Sequence, residues 1–132
     1  MRLRLALLAA ITTATIPAAT GAARSQEMSF AEGVCEKFVI GKKPTTKNCT
    51  GKMMSTNYDD GRVGFYFVFS NGGIITFSGM DRPNPTPNTD LTSVDQIIFN
   101  VEGVKKSFAA TGSCRYGNFH AGHKRVTCKG QS

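Results

Sequence analysis

The chain has no tryptophan and only two histidines, His120 and His123, in 132 residues. It also lacks any close cysteine pair of the Cys-x-x-Cys type, which removes the usual frame of a structural zinc site. Gly-x-Ser-x-Gly, Ser-x-x-Lys and a lone cysteine partnered by histidine are all missing, so the familiar nucleophile arrangements are excluded. No glycine-rich phosphate loop is present. Nothing in the residue pattern calls for a cofactor or a metal. Helix-forming stretches are scarce as well: Glu27 to Val34 alone carries a few helix formers, and glycine and proline punctuate most of the chain beyond it. At most one short N-terminal helix is allowed.

The apolar runs are short. Leu5 to Ile16 is apolar apart from threonines and ends at Pro17, behind the cations Arg2 and Arg4. A membrane span needs about 20 apolar residues. The charged start, the short apolar stretch and the small residues Ala18 to Ala23 have the layout of a signal peptide cleaved after Ala23. Residues 1–23 are therefore expected to be a signal peptide and 24–132 a single domain, periplasmic or secreted, with no transmembrane segment after cleavage.

The residues that are plentiful point to β structure. From Arg62 to Ser70, Val63, Phe65, Phe67 and Phe69 alternate with Gly64, Tyr66, Val68 and Ser70, the two-residue period of a half-buried strand. Asn71-Gly72-Gly73 is a tight-turn signal before Ile74 to Phe77, so the two runs read as a hairpin. Ile97, Phe99 and Val101 repeat the alternation, and Glu102-Gly103 turns the chain into Lys105 to Gly112. Phe38 to Ile40, Thr50 to Thr56 and Arg125 to Cys128 are weaker candidates. The expected fold is mainly β, a small antiparallel sandwich or barrel of about six to eight strands. Arg82 to Asn88 holds three prolines, which lack a ladder donor, and is expected to be an exposed loop. Asp59-Asp60-Gly61 reads as a turn in which aspartates bond nearby backbone, not as a catalytic carboxylate pair. Alternation sends the phenylalanines of residues 62–70 inward and leaves Tyr66 alone on the other face, which weakens an aromatic stacking platform.

Four cysteines, Cys35, Cys49, Cys114 and Cys128, form an even set in a chain that looks exported, where disulfides persist. The fourteen-residue separations favour Cys35 with Cys49 and Cys114 with Cys128. Each bridge closes a fifteen-residue loop, for which chain entropy gives roughly 3 kcal/mol of stabilisation.

The formal net charge is +7, from sixteen cations and nine acids. Subtracting Arg2 and Arg4 leaves fourteen against nine, about +5 for the expected mature chain. The cations are unevenly placed. Val34 to Tyr58 holds Lys37, Lys42, Lys43, Lys47 and Lys52 against Glu36, and Gly103 to Ser132 holds six cations and no acid, whereas the segment between them is net acidic.

The stretch Gly112-Ser113-Cys114-Arg115-Tyr116-Gly117-Asn118, with Cys128 after it, resembles a group of small uncharacterised exported bacterial proteins that share Gly-x-Cys-x-Tyr-Gly-Asn and a later cysteine. The resemblance covers about forty residues of the last third. It implies secretion and a Cys114–Cys128 hairpin, and no chemistry. Phe119 stands where similar chains often carry proline.

The functional expectation is a non-enzymatic binding module. Lys105, Lys106, Arg115, Lys124, Arg125 and Lys129 are its candidate cationic contacts, with Lys42, Lys43 and Lys47 as possible additions. The partner would be anionic: a protein, a glycan, a lipid headgroup or a nucleic acid. The alternatives are a small, nuclease-like hydrolase using His120 or His123 with Asp95 or Glu102, and a structural envelope protein.

Overall fold

The computed structural model describes residues 26–117 and 125–132. The segment read as a signal peptide, both histidines and Lys124 lie outside them. Among the described residues nine strands are formed: β1 (Gln26–Glu32), β2 (Val39–Ile40), β3 (Lys43–Pro44), β4 (Cys49–Tyr58), β5 (Arg62–Phe69), β6 (Ile74–Thr86), β7 (Thr89–Val101), β8 (Val104–Gly117) and β9 (Val126–Gln131). Seven make one antiparallel sheet in the order β1-β4-β5-β6-β7-β8-β9, and β2 and β3 pair separately. The only helical turn among the described residues is a 3-10 turn at Thr46–Asn48. The short helix allowed over Glu27–Val34 does not form. Those residues are mostly β1, laid against β4 from Gln26 opposite Tyr58 to Glu32 opposite Lys52.

Alternation sorts the side chains as expected. Val63, Phe65 and Phe69 of β5, Ile75 and Phe77 of β6, Val94 of β7 and Cys114 of β8 make the buried core, with Phe65 only 1% exposed. The rings of Phe65 and Tyr116 lie 4.9 Å apart although β5 and β8 are three strands distant in the sheet. Strands in register are about 4.8 Å apart, so a flat sheet would hold these positions far apart. The sheet is therefore strongly coiled, with the core on its concave side.

Glycine permits that coiling at one level of the sheet. Gly79, Val94, Gly112 and Gly130 lie directly opposite one another across β6 to β9. A Cβ on Gly79 would collide with the Ser93 carbonyl, and one on Gly112 with that of Lys129. A register shift beside this level, across Asp95, makes room for one more residue in β7 and tightens the bend.

The remaining open side is covered by the loop between β1 and β4. Cys35–Cys49 ties this loop to the start of β4. Phe38 packs edge-on against Phe67 and Phe69, at 5.8 and 4.9 Å between ring centres. The second disulfide, Cys114–Cys128, joins directly opposed residues of β8 and β9. Both pairings are those favoured by spacing.

The proline segment requires a correction. Arg82–Asn88 is exposed, but the β6–β7 ladder runs through it to Thr86 opposite Thr89, with a register break between Arg82 and Thr86. Pro83 and Pro85 are two residues apart, so both missing donors face the same way. Because β5 ends at Arg62 opposite Met80, β6 has a free edge beyond that point where no donor is needed.

Candidate functional site

Face and register decide which of the candidate cations meet. Cys114 points inward and is fully buried, so its neighbour Arg115 points outward. Arg115 lies opposite Thr127, and Lys129 opposite Ser113. Arg125 is at the level of Gly117, whose amide donates to the Arg125 carbonyl at 3.1 Å. Arg125 and Lys129 are thus the two diagonal neighbours of Arg115 on the convex face, about 7–8 Å away by ordinary sheet geometry. The disulfide beneath holds the two strands in that register. Arg125 pairs with Glu36 at 3.5 Å, an exposed contact that links the two disulfide loops. Arg115 and Lys129 form no ion pair among the described residues.

Two other candidates do not join this group. Lys105 is on the same face but ten residues along β8 from Arg115, about 33 Å away at strand rise. Lys106 lies opposite Phe99 and shares the concave face with it. Nothing described places Lys42, Lys43 or Lys47 against Arg115, and Lys124 lies outside the described residues.

Arg82 is a contact that the linear charge pattern hides. It sits in the net-acidic middle segment, yet lies opposite Leu91, which lies opposite Arg115. Arg82 therefore shares the convex face with Arg115, two strands and about 10 Å away. Only the register of the proline-containing end of β6 reveals this.

The neighbours of these arginines in the sequence face the other way. Asp81 and Asp90 point to the concave side, where they join Glu27, Asn57, Asn84 and Tyr116 around an open cleft of about 360 Å³. The alternation Asp81-Arg82 and Arg115-Tyr116 thus sorts acids inward and cations outward on the same strands. Burial, and then the charges of Asp90 and Asp81, push the Tyr116 phenol up to about 12. Thr92, fully buried beside it, offsets part of this, although its hydroxyl makes no well-formed hydrogen bond. Among the described residues, no group of three or more His, Cys, Asp or Glu side chains is placed to hold a metal ion.

The carboxylates named for a hydrolase are otherwise placed. Asp95 takes a two-pronged contact from Arg62 at 2.8 and 3.1 Å, and Arg62 also donates to Ser78 at 2.9 Å. Glu102 occupies the tip of the β7–β8 turn with φ of 51°. Asp60 accepts from the Arg62 amide at 3.0 Å within the Asp59-Asp60-Gly61 turn. Tyr66 lies over Gly64 on the convex face and covers the buried Thr56 instead of standing free for stacking. Among the described residues no helix is long and apolar enough to cross a membrane. No protein-family model matches this chain, and neither a curated protein nor a solved structure shows significant similarity to it.

Proposed function

We propose that this protein is an exported, non-enzymatic binding module that holds an anionic partner on the convex face of its Cys114–Cys128 hairpin. The observation that carries this reading is the convergence of Arg115, Arg125 and Lys129 on one disulfide-locked face, with Arg82 level with them two strands away. Preset spacing lowers the ordering cost of binding, because the backbone is already fixed. Arginine suits carboxylate, phosphate and sulfate equally, through two parallel hydrogen bonds. Two disulfides suit an oxidising compartment, in keeping with the signal-peptide layout of residues 1–23.

The test is binding of the mature protein to a heparin-derived tetrasaccharide and to phosphatidylglycerol vesicles, at low and high salt, against an Arg115→Glu/Lys129→Glu variant. Binding that weakens with salt and falls by roughly tenfold or more on charge reversal is the expected result. Binding indifferent to both changes, or no binding to either probe, removes the proposal.

A further inference from the structure

β8 is longer than its partner β9. Pairing between them ends with Thr111 opposite Gln131, whereas β8 begins at Val104. Among the described residues, the β8 edge from Val104 to Ala110 has no neighbour on the β9 side.

The β7–β8 turn shows which backbone groups this leaves open. Glu102 and Gly103, with φ of 51° and 77°, form a two-residue turn that closes Val101 on Val104. In such a turn the closing pair is hydrogen-bonded across the hairpin, and bonding then recurs at every second residue. Residues 104, 106 and 108 therefore bond to β7, and Lys105, Ser107 and Ala109 turn their N–H and C=O groups to the open edge. The same parity appears at the far end, where the Gly117 amide faces β9.

Side chains beside the edge match this pattern. Val104, Lys106 and Phe108 share the concave face with Phe99 and Val101 and line an apolar cleft of about 410 Å³. Val104 is 60% and Phe108 46% exposed. Lys106 is the one charged residue in that lining, and Lys105 projects from the opposite face. A lipid tail would fill the cleft but make no use of the outward backbone groups, which would stay bonded to water. A second copy would bring two Lys105–Lys106 pairs onto one short edge, the arrangement by which lysines discourage edge-to-edge pairing.

We propose that this edge accepts an extended acidic segment of a partner polypeptide as an added strand, with its apolar residues over Phe108 and Val104 and its carboxylates beside the two lysines. Backbone hydrogen bonds supply register, and the cleft and lysines supply selectivity. This edge is a second site, about 33 Å along β8 from the Arg115 cluster, and it adds a polypeptide partner to the reading above.

The probe is a blocked peptide of alternating glutamate and valine, titrated into the mature protein and followed by fluorescence anisotropy. Binding is expected, weakened roughly tenfold by Lys105→Glu/Lys106→Glu and by Ser107→Pro, which removes one edge donor and no β7 bond. An alternating lysine–valine peptide should bind at least about tenfold more weakly. Methylating alternate amides of the probe tests the same contacts on unaltered protein and should abolish binding. In hydrogen exchange, the amides of Lys105, Ser107 and Ala109 should be fast in the free protein and slow in the complex.

Binding that survives both Ser107→Pro and amide methylation overturns strand addition. So does protection of those three amides in the free protein, which would mean the edge is already filled by this chain or by a second copy. Tetrasaccharide binding unaffected by Arg115→Glu/Lys129→Glu removes the convex-face reading alone, whereas tetrasaccharide binding lost in that variant together with peptide binding that survives both Ser107→Pro and amide methylation removes strand addition alone.

Discussion

Tyr116 is where burial and charge act on one titratable group. Its ring packs on Phe65, and its hydroxyl end borders the cleft that holds Asp81 and Asp90. Both effects disfavour the phenolate, so the folded-state value, about 12, lies above the ordinary value of 10 that the unfolded chain would show. Between these values the unfolded state sheds its proton first. This contribution to stability is intact below about pH 10 and is lost as pH rises toward 12. A difference titration of phenolate absorbance between wild type and Tyr116→Phe should give a midpoint near 12. Asp90→Asn should lower that midpoint, and an unchanged midpoint would mean that the Asp90 charge does not act on the phenol. The sequence holds no trace of this arrangement, because Asp81, Asp90 and Tyr116 share a cleft only after β6, β7 and β8 pair.

Among the elements, β9 depends most on a covalent tie. It is a six-residue edge strand paired with β8 alone, and Cys128 at its centre is bonded to the directly opposed Cys114. Replacing both cysteines with alanine should cost about 3 kcal/mol in urea unfolding, the entropy of a fifteen-residue loop. Hydrogen exchange should rise first in β9, and the tetrasaccharide should be lost because Lys129 rides on that strand and Arg125 immediately precedes it. Uniform loosening of the whole sheet would contradict a local tie. At this scale the sequence is legible. Alternation marks β5 and the outer half of β7, Asn71-Gly72-Gly73 and Glu102-Gly103 mark turns, and cysteine spacing marks both bridges. It misleads where tertiary pairing overrides local preference. Glu27–Val34 carries helix formers but finds the β4 edge, and Arg82–Thr86 stays extended because its prolines face an edge with no partner.

For the whole molecule, charge follows face and not chain position. The chain has a basic stretch at each end of the domain and an acidic middle, which suggests that the basic C-terminal residues act together. Coiling and pleat rearrange that picture. Arg82 comes from the acidic middle and shares the convex face with Arg115, whereas Lys106 comes from the basic end and points into the concave side. The two arginines are about 10 Å apart, within roughly one Debye length at physiological salt, and Lys105 is more than three Debye lengths from Arg115. A short sulfated oligosaccharide should therefore sense Arg82 and Arg115 alike and ignore Lys105 and Lys106. Arg82→Glu and Arg115→Glu should each weaken tetrasaccharide binding by about threefold to tenfold. Lys105→Glu and Lys106→Glu should leave it unchanged, although all four variants alter net charge equally. Equal losses from all four would mean that net charge alone attracts the ligand. A loss confined to Arg82 and Arg115, which neighbour each other across β6 to β8, would establish that the coiled sheet, and not the composition, builds the site.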